Sequence, residues 1–184
     1  MKLGMYALQG MGGVVVEAVK PAWVVTRKEP GPYPYFECLS IERVCEKVGA
    51  RLLYNHEIWI PPLNTRCDLV LVATYDKIIH PAGVPIINLH PSIHWRGRNP
   101  MRHAIETGVE TEGVTAHLIT NGLDDGPVVM RYEIMKHEPR WKTEGELRLM
   151  LAHRMALCAK RIIDDWPHVT LTRNTLQDMQ ARAA

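Results

Sequence analysis

The sequence lacks the features that mark membrane, secreted and nucleic-acid-binding proteins. No apolar run approaches the roughly 20 residues that a bilayer-spanning helix needs, and the N-terminus has no signal-peptide hydrophobic region of the usual length. The four cysteines include no Cys-x-x-Cys pair. Basic residues form no block, and 22 Lys and Arg against 20 Asp and Glu leave a net charge of +2. We therefore expect a cytoplasmic protein with neither a membrane nor a nucleic-acid partner.

The composition is that of one globular domain. A chain of 184 residues with 46% hydrophobic and 23% charged residues can bury a substantial core. We expect this core over residues 1–166, followed by a weakly patterned tail at 167–184.

Short apolar runs that alternate with helical segments predict an α/β fold. We expect a Rossmann-like, mostly parallel open sheet with helices on both faces, extended by a C-terminal antiparallel hairpin. Strands are predicted at 1–8, 22–26, 51–54, 68–74, 86–90, 113–120 and 127–135, and helices at 14–19, 41–48, 100–106 and 144–165.

Capping residues place the ends of two helices. Ser40 is a predicted N-cap, Gly49 a predicted C-cap, and Thr143 is predicted to cap the long C-terminal helix. The segments 27–35 and 55–65 are rich in proline and are predicted to be loops. The long helix has an apolar stripe that we interpret as core packing, formed by Leu147, Met150, Leu151, Arg154, Leu157, Cys158, Arg161 and Ile162.

The stretch 86–100 joins a buried strand to a polar, basic loop and is the strongest candidate for a site. Asn88 and His90 lie two positions apart, so on a strand their side chains leave the backbone on the same side. Taken alone, such a pair is more typical of satisfied polar groups near a surface loop.

An acidic turn at 121–126 supplies a further group. If Asp124 reaches the carboxyl edge of the parallel sheet, its carboxylate can orient the His90 imidazole and raise its pKa. The Asn88 amide and a protonated His90 could then stabilise a developing oxyanion, as acyl transfer requires.

Other site classes fit the sequence less well. His90, His94 and His103 lack the spacing of a metal site, because Pro91 breaks any helix joining them. Ser92 with His90 and Asp124 has the composition of a hydrolase triad, but the Gly-x-Ser-x-Gly elbow is absent. We expect no metal.

Four motifs, in order, resemble the signature of the folate-dependent formyltransferases. They are Asn-Leu-His-Pro-Ser at 88–92, Arg-Gly-x-x-Pro at 96–100, Gly-Val-Thr-x-His at 113–117 and Leu-Asp-x-Gly-Pro-Val-Val at 123–129. That family includes glycinamide ribonucleotide, methionyl-tRNA and sugar-nucleotide formyltransferases. The resemblance implies an enzyme of one-carbon metabolism that transfers a formyl group from 10-formyltetrahydrofolate to an amine.

The resemblance also implies roles for single residues. It makes Asn88, His90 and Asp124 catalytic. Contacts to the folate are implied at the loop after the central strand and at the turn before the catalytic Asp, namely Ala73, Tyr75, Lys77, Ile79, Thr120, Asn121, Gly122 and Leu123. Candidates for binding the amine substrate are Gly10, Gly12, Ser92, Arg96, Arg98 and His117, although the two arginines could equally be solvated loop charges and His117 a structural hydrogen-bonding residue.

Two departures from the family pattern bear on the amine acceptor. Only Ile93, His94 and Trp95 stand between the His-Pro-Ser and Arg-Gly motifs, so this loop is shortened and lacks its usual proline. The phosphate loop of the glycinamide ribonucleotide enzymes is replaced by Gly-Met-Gly-Gly at 10–13. We expect a sugar nucleotide as the acceptor, with a smaller phosphorylated amine such as glycinamide ribonucleotide second.

Two alternatives to an amine formyltransferase stay open at this point. A formyltetrahydrofolate hydrolase would use water in place of the amine. A non-catalytic folate-binding relative would keep the fold without the chemistry, and a homodimer is compatible with the sequence.

Overall fold

The computed structural model describes residues 1–27, 40–54, 67–80, 83–97, 99–135, 141 and 143–166. The predicted loop at 55–65 and tail at 167–184 lie outside these residues, as does nearly all of the predicted loop at 27–35. The elements, in chain order, are β1 Leu3–Ala7, α1 Met11–Val19, β2 Trp23–Thr26, α2 Ile41–Val48, β3 Arg51–Tyr54, β4 Leu69–Ala73, β5 Ile86–His90, α3 Pro100–Thr107, β6 Thr111–Leu118, β7 Val128–Met135 and α4 Glu144–Asp165.

In the described part of the chain the strands form one mixed sheet in the order β3-β2-β1-β4-β5-β6-β7. Strands β1 to β5 pair in parallel, and β6 and β7 add antiparallel pairs at one side. The predicted mostly parallel sheet with a C-terminal hairpin is confirmed.

The two faces of the sheet are covered differently. Each of the helices α1 to α4 contributes buried side chains to one core cluster, together with alternate residues of the central strands such as Leu71 and Leu89. The cluster on the opposite face contains only strand and loop residues, among them Tyr6, Val72 and Ile86. In the described residues the helical layer therefore lies on one face, and the expectation of helices on the second face stays a prediction.

Helix α1 begins earlier than its sequence suggests. It starts at Met11, three residues before the predicted start at residue 14, and includes Gly12 and Gly13 although glycine disfavours helix interiors. A Cβ on Gly12 would lie 3.0 Å from the carbonyl oxygen of Ala73 and 3.1 Å from Oγ1 of Thr74. The missing side chain thus lets the first turn of α1 approach the end of β4.

Helix α4 begins at a complete capping box. The Thr143 hydroxyl accepts the N–H of Glu146 at 3.2 Å, and the Glu146 carboxylate accepts the N–H of Thr143 at 3.0 Å. Its buried stripe differs in part from the predicted one, because Leu157 and Arg161 are exposed while the helix buries Ala152, Met155 and Ala159. Among the described residues, no helix is long and apolar enough to cross a membrane.

Candidate active site

Strand β5 presents Asn88 and His90 on the sheet face opposite the helical layer. Asn88 pairs with Val72 of β4 on one side and with His117 of β6 on the other. The neighbouring residues Ile87 and Leu89 point into the helical core, as strand alternation requires. The predicted side-by-side arrangement of the two polar side chains therefore has its structural basis in β5.

The turn between β6 and β7 brings Asp124 to this pair. Asn88 Nδ2 donates to Asp124 Oδ1 at 2.9 Å, and His90 Nδ1 lies 3.4 Å from Asp124 Oδ2. Because a carboxylate only accepts hydrogen bonds, the contact at 2.9 Å fixes which end of the Asn88 amide faces Asp124. Asp124 adopts a positive φ of 51°, a left-handed conformation that Asp tolerates better than most residues.

The other ring nitrogen of His90 is held by the backbone. Nε2 lies 2.6 Å from the carbonyl oxygen of Trp95, which only accepts, so Nε2 carries a proton. In the neutral ring Nδ1 is then the basic nitrogen, and it faces the Asp124 carboxylate. A proton taken up by His90 would arrive between the imidazole and Asp124.

His117 is the fourth polar side chain of the cluster. Its Nδ1 lies 3.0 Å from the carbonyl oxygen of Leu118, to which it donates, and its Nε2 lies 3.2 Å from Asn88 Nδ2 and 3.4 Å from Asp124 Oδ1. A neutral ring accepts the second amide proton of Asn88, whereas a protonated ring would donate to Asp124. His117 is nearly fully buried, with 3% of its surface exposed.

Burial and charge act against each other in this cluster. Burial alone would raise the pKa of Asp124, but His117, His90 and the N–H of Gly97 lower that pKa to about 2. Burial lowers the pKa of His90 below its ordinary value and outweighs the opposing attraction of Asp124 and the Trp95 carbonyl. As expected, Asp124 by itself raises the pKa of His90. The net shift of the His90 pKa is nevertheless downward, which favours a neutral ring.

The arrangement supplies the groups that acyl transfer needs. Asn88 offers amide protons for negative charge on a carbonyl oxygen, and His90 offers a basic nitrogen. Asp124 stays ionised and can stabilise the imidazolium that forms on proton uptake. A polar atom of each of the four side chains lies within 3.4 Å of a polar atom of at least one other member.

The 92–97 loop contacts this cluster through the Trp95 carbonyl and the Gly97 N–H, and it contains the candidate substrate-binding residues Ser92 and Arg96. The Ser92 hydroxyl donates to Glu112 Oε2 at 3.2 Å and accepts the N–H groups of His94 at 3.1 Å and Trp95 at 3.0 Å. These contacts use its full capacity and it is 1% exposed, so Ser92 holds the loop and does not offer its hydroxyl to a substrate. Arg96 is exposed, and Arg98 lies outside the described residues.

The two candidate folate segments follow β4 and β6, the strands that pair with β5 on either side. Ala73 ends β4, Tyr75 packs edge-on against Tyr6 at 5.3 Å, Ile79 is buried and Lys77 is exposed. In the other segment, the Thr120 hydroxyl donates to Asp125 at 2.5 Å and so braces the turn. Asn121, Gly122 and Leu123 of that turn are exposed, and Leu123 retains 66% of its surface.

The two candidate substrate-binding glycines lie at the start of α1, Gly10 as its N-cap residue and Gly12 in its first turn. Gly10 and Gly12 are buried, and the helix has no side-chain cap at Gly10. As for metals, no group of three or more His, Cys, Asp or Glu side chains in the described ranges could hold an ion.

Three groups of the site carry no signal in the sequence. The Trp95 carbonyl and the Gly97 N–H, which donates to Asp124 Oδ2 at 2.8 Å, are backbone groups that every residue possesses. Glu112 is fully buried and holds the 92–97 loop. It lies just before the predicted strand 113–120, and alternation along β6 places it on the same side as Val114, which packs into the helical core, so nothing in the sequence pointed to its polar contacts.

Comparison with known proteins identifies the family. The model of the formyl transferase family matches residues 9–148. The chain is 35% identical over 85 residues to methionyl-tRNA formyltransferase of Thermosipho africanus, covering 44% of this chain and 27% of that protein. It is 39% identical over 106 residues to formyltetrahydrofolate deformylase of Bacillus subtilis, covering 53% and 32%. It is 34% identical over 96 residues to phosphoribosylglycinamide formyltransferase of Escherichia coli, covering 48% and 42%.

Solved structures share the fold at low identity. Glycinamide ribonucleotide transformylase 1 of Symbiobacterium toebii superposes with a TM-score of 0.64 at 20% identity, covering 88% of this chain and 85% of that one. An N-formyltransferase of Helicobacter canadensis, solved with folinic acid and dTDP-3-aminofucose, gives a TM-score of 0.69 at 15% identity, covering 92% and 65%. The alignments span less than half the length of the sequence relatives named above. Because the family model covers most of the chain and its motifs carry the clustered polar side chains, the chain belongs to the formyl transferase family.

Proposed function

We propose that the chain transfers a formyl group from 10-formyltetrahydrofolate to a primary amine. The observation that carries this proposal is the convergence of Asn88, His90 and Asp124. Asn88 Nδ2 lies 2.9 Å from Asp124 Oδ1, and His90 Nδ1 lies 3.4 Å from Asp124 Oδ2. The side chains of His90 and Asp124 are both about nine-tenths buried. A buried carboxylate, amide and imidazole at these distances suit acyl transfer between two nitrogens.

The residues that would hold the folate are those of segments 73–79 and 120–124. One feature of the first segment fits a polar ligand: Oγ1 of Thr74 is buried and has no hydrogen-bond partner among the described residues. Thr74 also adopts a positive φ of 55°, a strained conformation of the kind found at functional sites. When bound, the folate supplies a formyl group attached to a nitrogen that can leave.

The side chains of the chain would act in a defined order. Asn88 turns an amide proton from His117 or Asp124 towards the formyl oxygen and so stabilises the negative charge that develops there. His90 accepts a proton at Nδ1 as the amine attacks, and Asp124 stabilises the resulting imidazolium. A new bond forms between the amine nitrogen and the formyl carbon, the bond from that carbon to the folate breaks, and the proton passes to the departing nitrogen.

A sugar nucleotide is the acceptor that we propose first. Gly10 and Gly12, the residues best suited to a phosphate loop of the glycinamide ribonucleotide type, are buried. Arg96 is exposed, and its charge contributes to lowering the pKa of His90, so it lies within electrostatic reach of the site. An exposed guanidinium there suits a diphosphate. The Helicobacter canadensis N-formyltransferase solved with dTDP-3-aminofucose has the same fold, as does the glycinamide ribonucleotide transformylase, so the fold leaves both acceptors open.

A formyltetrahydrofolate hydrolase is the second candidate. The observation that favours it is the 39% identity to the Bacillus subtilis deformylase, the highest value among the relatives named above. In that reaction water takes the place of the amine, and His90 would accept a proton from the water.

One assay separates the candidates. The chain is incubated with 10-formyltetrahydrofolate and, in parallel, with a dTDP-amino sugar, glycinamide ribonucleotide or no amine, while folate absorbance and the mass of the amine product are followed. We expect a formylated amino sugar. Formate released at the same rate without an amine indicates the hydrolase, and bound folate without turnover indicates a non-catalytic relative.

A further inference from the structure

Glu112 is a buried carboxylate that the proposed chemistry does not use. It lies in β6 opposite Ile134 of β7, and its exposed fraction is 0%. Burial raises the pKa of Glu112. An ionisable side chain in such a position costs free energy unless hydrogen bonds compensate for the lost water, so its partners indicate its purpose.

The hydrogen bonds of Glu112 join it to the start of the 92–97 loop. Oε1 accepts the N–H of Ile93 at 2.8 Å and the N–H of Gly113 at 2.9 Å, while Oε2 accepts the Ser92 hydroxyl at 3.2 Å. Nearby, His94 Nε2 donates to the carbonyl oxygen of Thr111 at 2.9 Å. The loop is thus attached to the first residues of β6 at three consecutive positions.

The far half of the same loop supplies two backbone groups to the site. The Trp95 carbonyl holds His90 Nε2 at 2.6 Å, and the Gly97 N–H holds Asp124 Oδ2 at 2.8 Å. The Ser92 hydroxyl connects the two halves, because it accepts the N–H groups of His94 and Trp95 while donating to Glu112. A path of contacts therefore runs from Glu112 through the Ser92 hydroxyl and the Trp95 backbone to the His90 imidazole.

We propose that Glu112 is a positioning residue, which fixes the 92–97 loop so that the Trp95 carbonyl selects the Nε2-protonated form of His90 and leaves Nδ1 free to accept a proton. The consequence for catalysis rests on the proposed formyl transfer, whereas the effect on the His90 tautomer does not. The 92–97 loop is short and contains no proline, so little within it restricts its backbone conformation. The hydrogen bonds to Glu112 supply that restriction from β6.

Two variants interrupt the path at different atoms. Glu112→Gln keeps an oxygen for the N–H groups of Ile93 and Gly113, but turns an NH₂ group towards the Ser92 oxygen, whose lone pairs are already occupied. Ser92→Ala removes the hydroxyl and leaves Glu112 in place. Ile134→Val is the matched control, since it weakens packing opposite Glu112 without changing a polar contact.

Two measurements are made on each variant. The ¹⁵N chemical shifts of the His90 ring, assigned by comparison with His90→Gln, report which nitrogen carries the proton. Steady-state kinetics with the accepted amine separate kcat from KM. We expect Glu112→Gln and Ser92→Ala to shift His90 towards a tautomer mixture and to lower kcat by about 10- to 100-fold at little-changed KM, and Ile134→Val to leave both unchanged.

The outcomes separate this proposal from the proposed function. The positioning role is overturned if both variants keep the wild-type ring shifts, or if Ile134→Val changes them equally. If the wild-type chain transfers no formyl group to any amine, but Glu112→Gln and Ser92→Ala still change the His90 shifts, the proposed function fails and the positioning contact stands. Because the two variants act on different residues, one that fails to fold leaves the other to decide.

Discussion

Asn88 and His117 are direct partners in the antiparallel pairing of β5 and β6, and this register sets the Asn88 amide nitrogen 3.2 Å from Nε2 of His117. The same amide nitrogen donates to Asp124 at 2.9 Å. Both amide protons of Asn88 thus have an acceptor within the site when the His117 ring is neutral. The amide is held in one orientation, and Asn88 must release one of these two contacts before it can donate to an oxyanion.

The Asp124 carboxylate can be tested with Asp124→Asn. The variant removes the charge yet keeps a residue that tolerates the left-handed backbone at φ 51°. We expect formyl transfer to fall by about 10²- to 10⁴-fold, because the imidazolium loses its counter-charge. Asp125→Asn is the control, since Asp125 accepts from Thr120 and has no described contact with Asn88 or His90. Equal losses in both variants would contradict a specific role for Asp124.

His117 can be tested by its effect on stability. In His117→Phe the second amide proton of Asn88 loses its buried acceptor, and we expect the free energy of unfolding to fall by about 1–3 kcal/mol. Urea denaturation measures the change. In the control variant, His103→Phe, the replaced ring is 52% exposed, so a change within about 0.5 kcal/mol is expected. A His117→Phe protein as stable as the wild type would show that Asn88 finds another acceptor.

The protonation of His90 gives a test in pH. Burial lowers the pKa of His90, and Asp124 opposes this shift, so Asp124→Asn should lower the pKa further. An NMR titration of the ring measures both values. Since the folded protein binds this proton less tightly than the unfolded chain, the stability from His90 is fully present above the unfolded pKa of about 6.5 and is lost as the pH falls through the folded pKa. A higher pKa in Asp124→Asn would refute the opposing role of the carboxylate.

Gly126 tests the turn that delivers Asp124. An added Cβ would lie 1.8 Å from the carbonyl oxygen of Leu118, so Gly126→Ala should force the turn away from β6. We expect a loss of about 1–3 kcal/mol in the free energy of unfolding, together with a fall in kcat as Asp124 leaves the site. Gly108→Ala is the control: its φ of 63° adds backbone strain of another kind, but an added Cβ there has nothing within 4 Å to displace. Gly108→Ala should lower the free energy of unfolding by roughly 1 kcal/mol and leave kcat unchanged. A similar kcat in the two variants would argue that the turn does not position Asp124.

The ends of several elements were predictable because their signals are local. Ser40 accepts the N–H of Arg43, Gly49 adopts the left-handed C-cap conformation, and Thr143 forms the capping box, so α2 and the start of α4 lie where these residues predict. The start of α1 was not predictable, since Gly12 is explained by the distant carbonyl of Ala73. Likewise, which residues of α4 are buried depends on the elements packed against it.

The candidate site divides in the same way. Strand alternation alone placed Asn88 and His90 on one side of a strand. The position of Asp124, 36 residues further along than Asn88, depends on a turn that crosses the sheet face, and the net pKa of His90 depends on how deeply that face is covered. Neither the position of Asp124 nor the net pKa shift of His90 can be derived from neighbouring residues in the sequence.

By itself the sequence determined the α/β class, most strand and helix positions, and the four motifs that resemble the formyltransferases, because each follows from residue type, capping and short-range spacing. Only the tertiary structure decided that the candidate site lies on the face opposite the described helices, that the Ser92 hydroxyl donates to Glu112, and that the Trp95 carbonyl lies 2.6 Å from His90 Nε2. These features arise from contacts between backbone and side-chain groups far apart in the chain. A backbone carbonyl has the same chemistry at every residue, so only its position in space makes it part of a site.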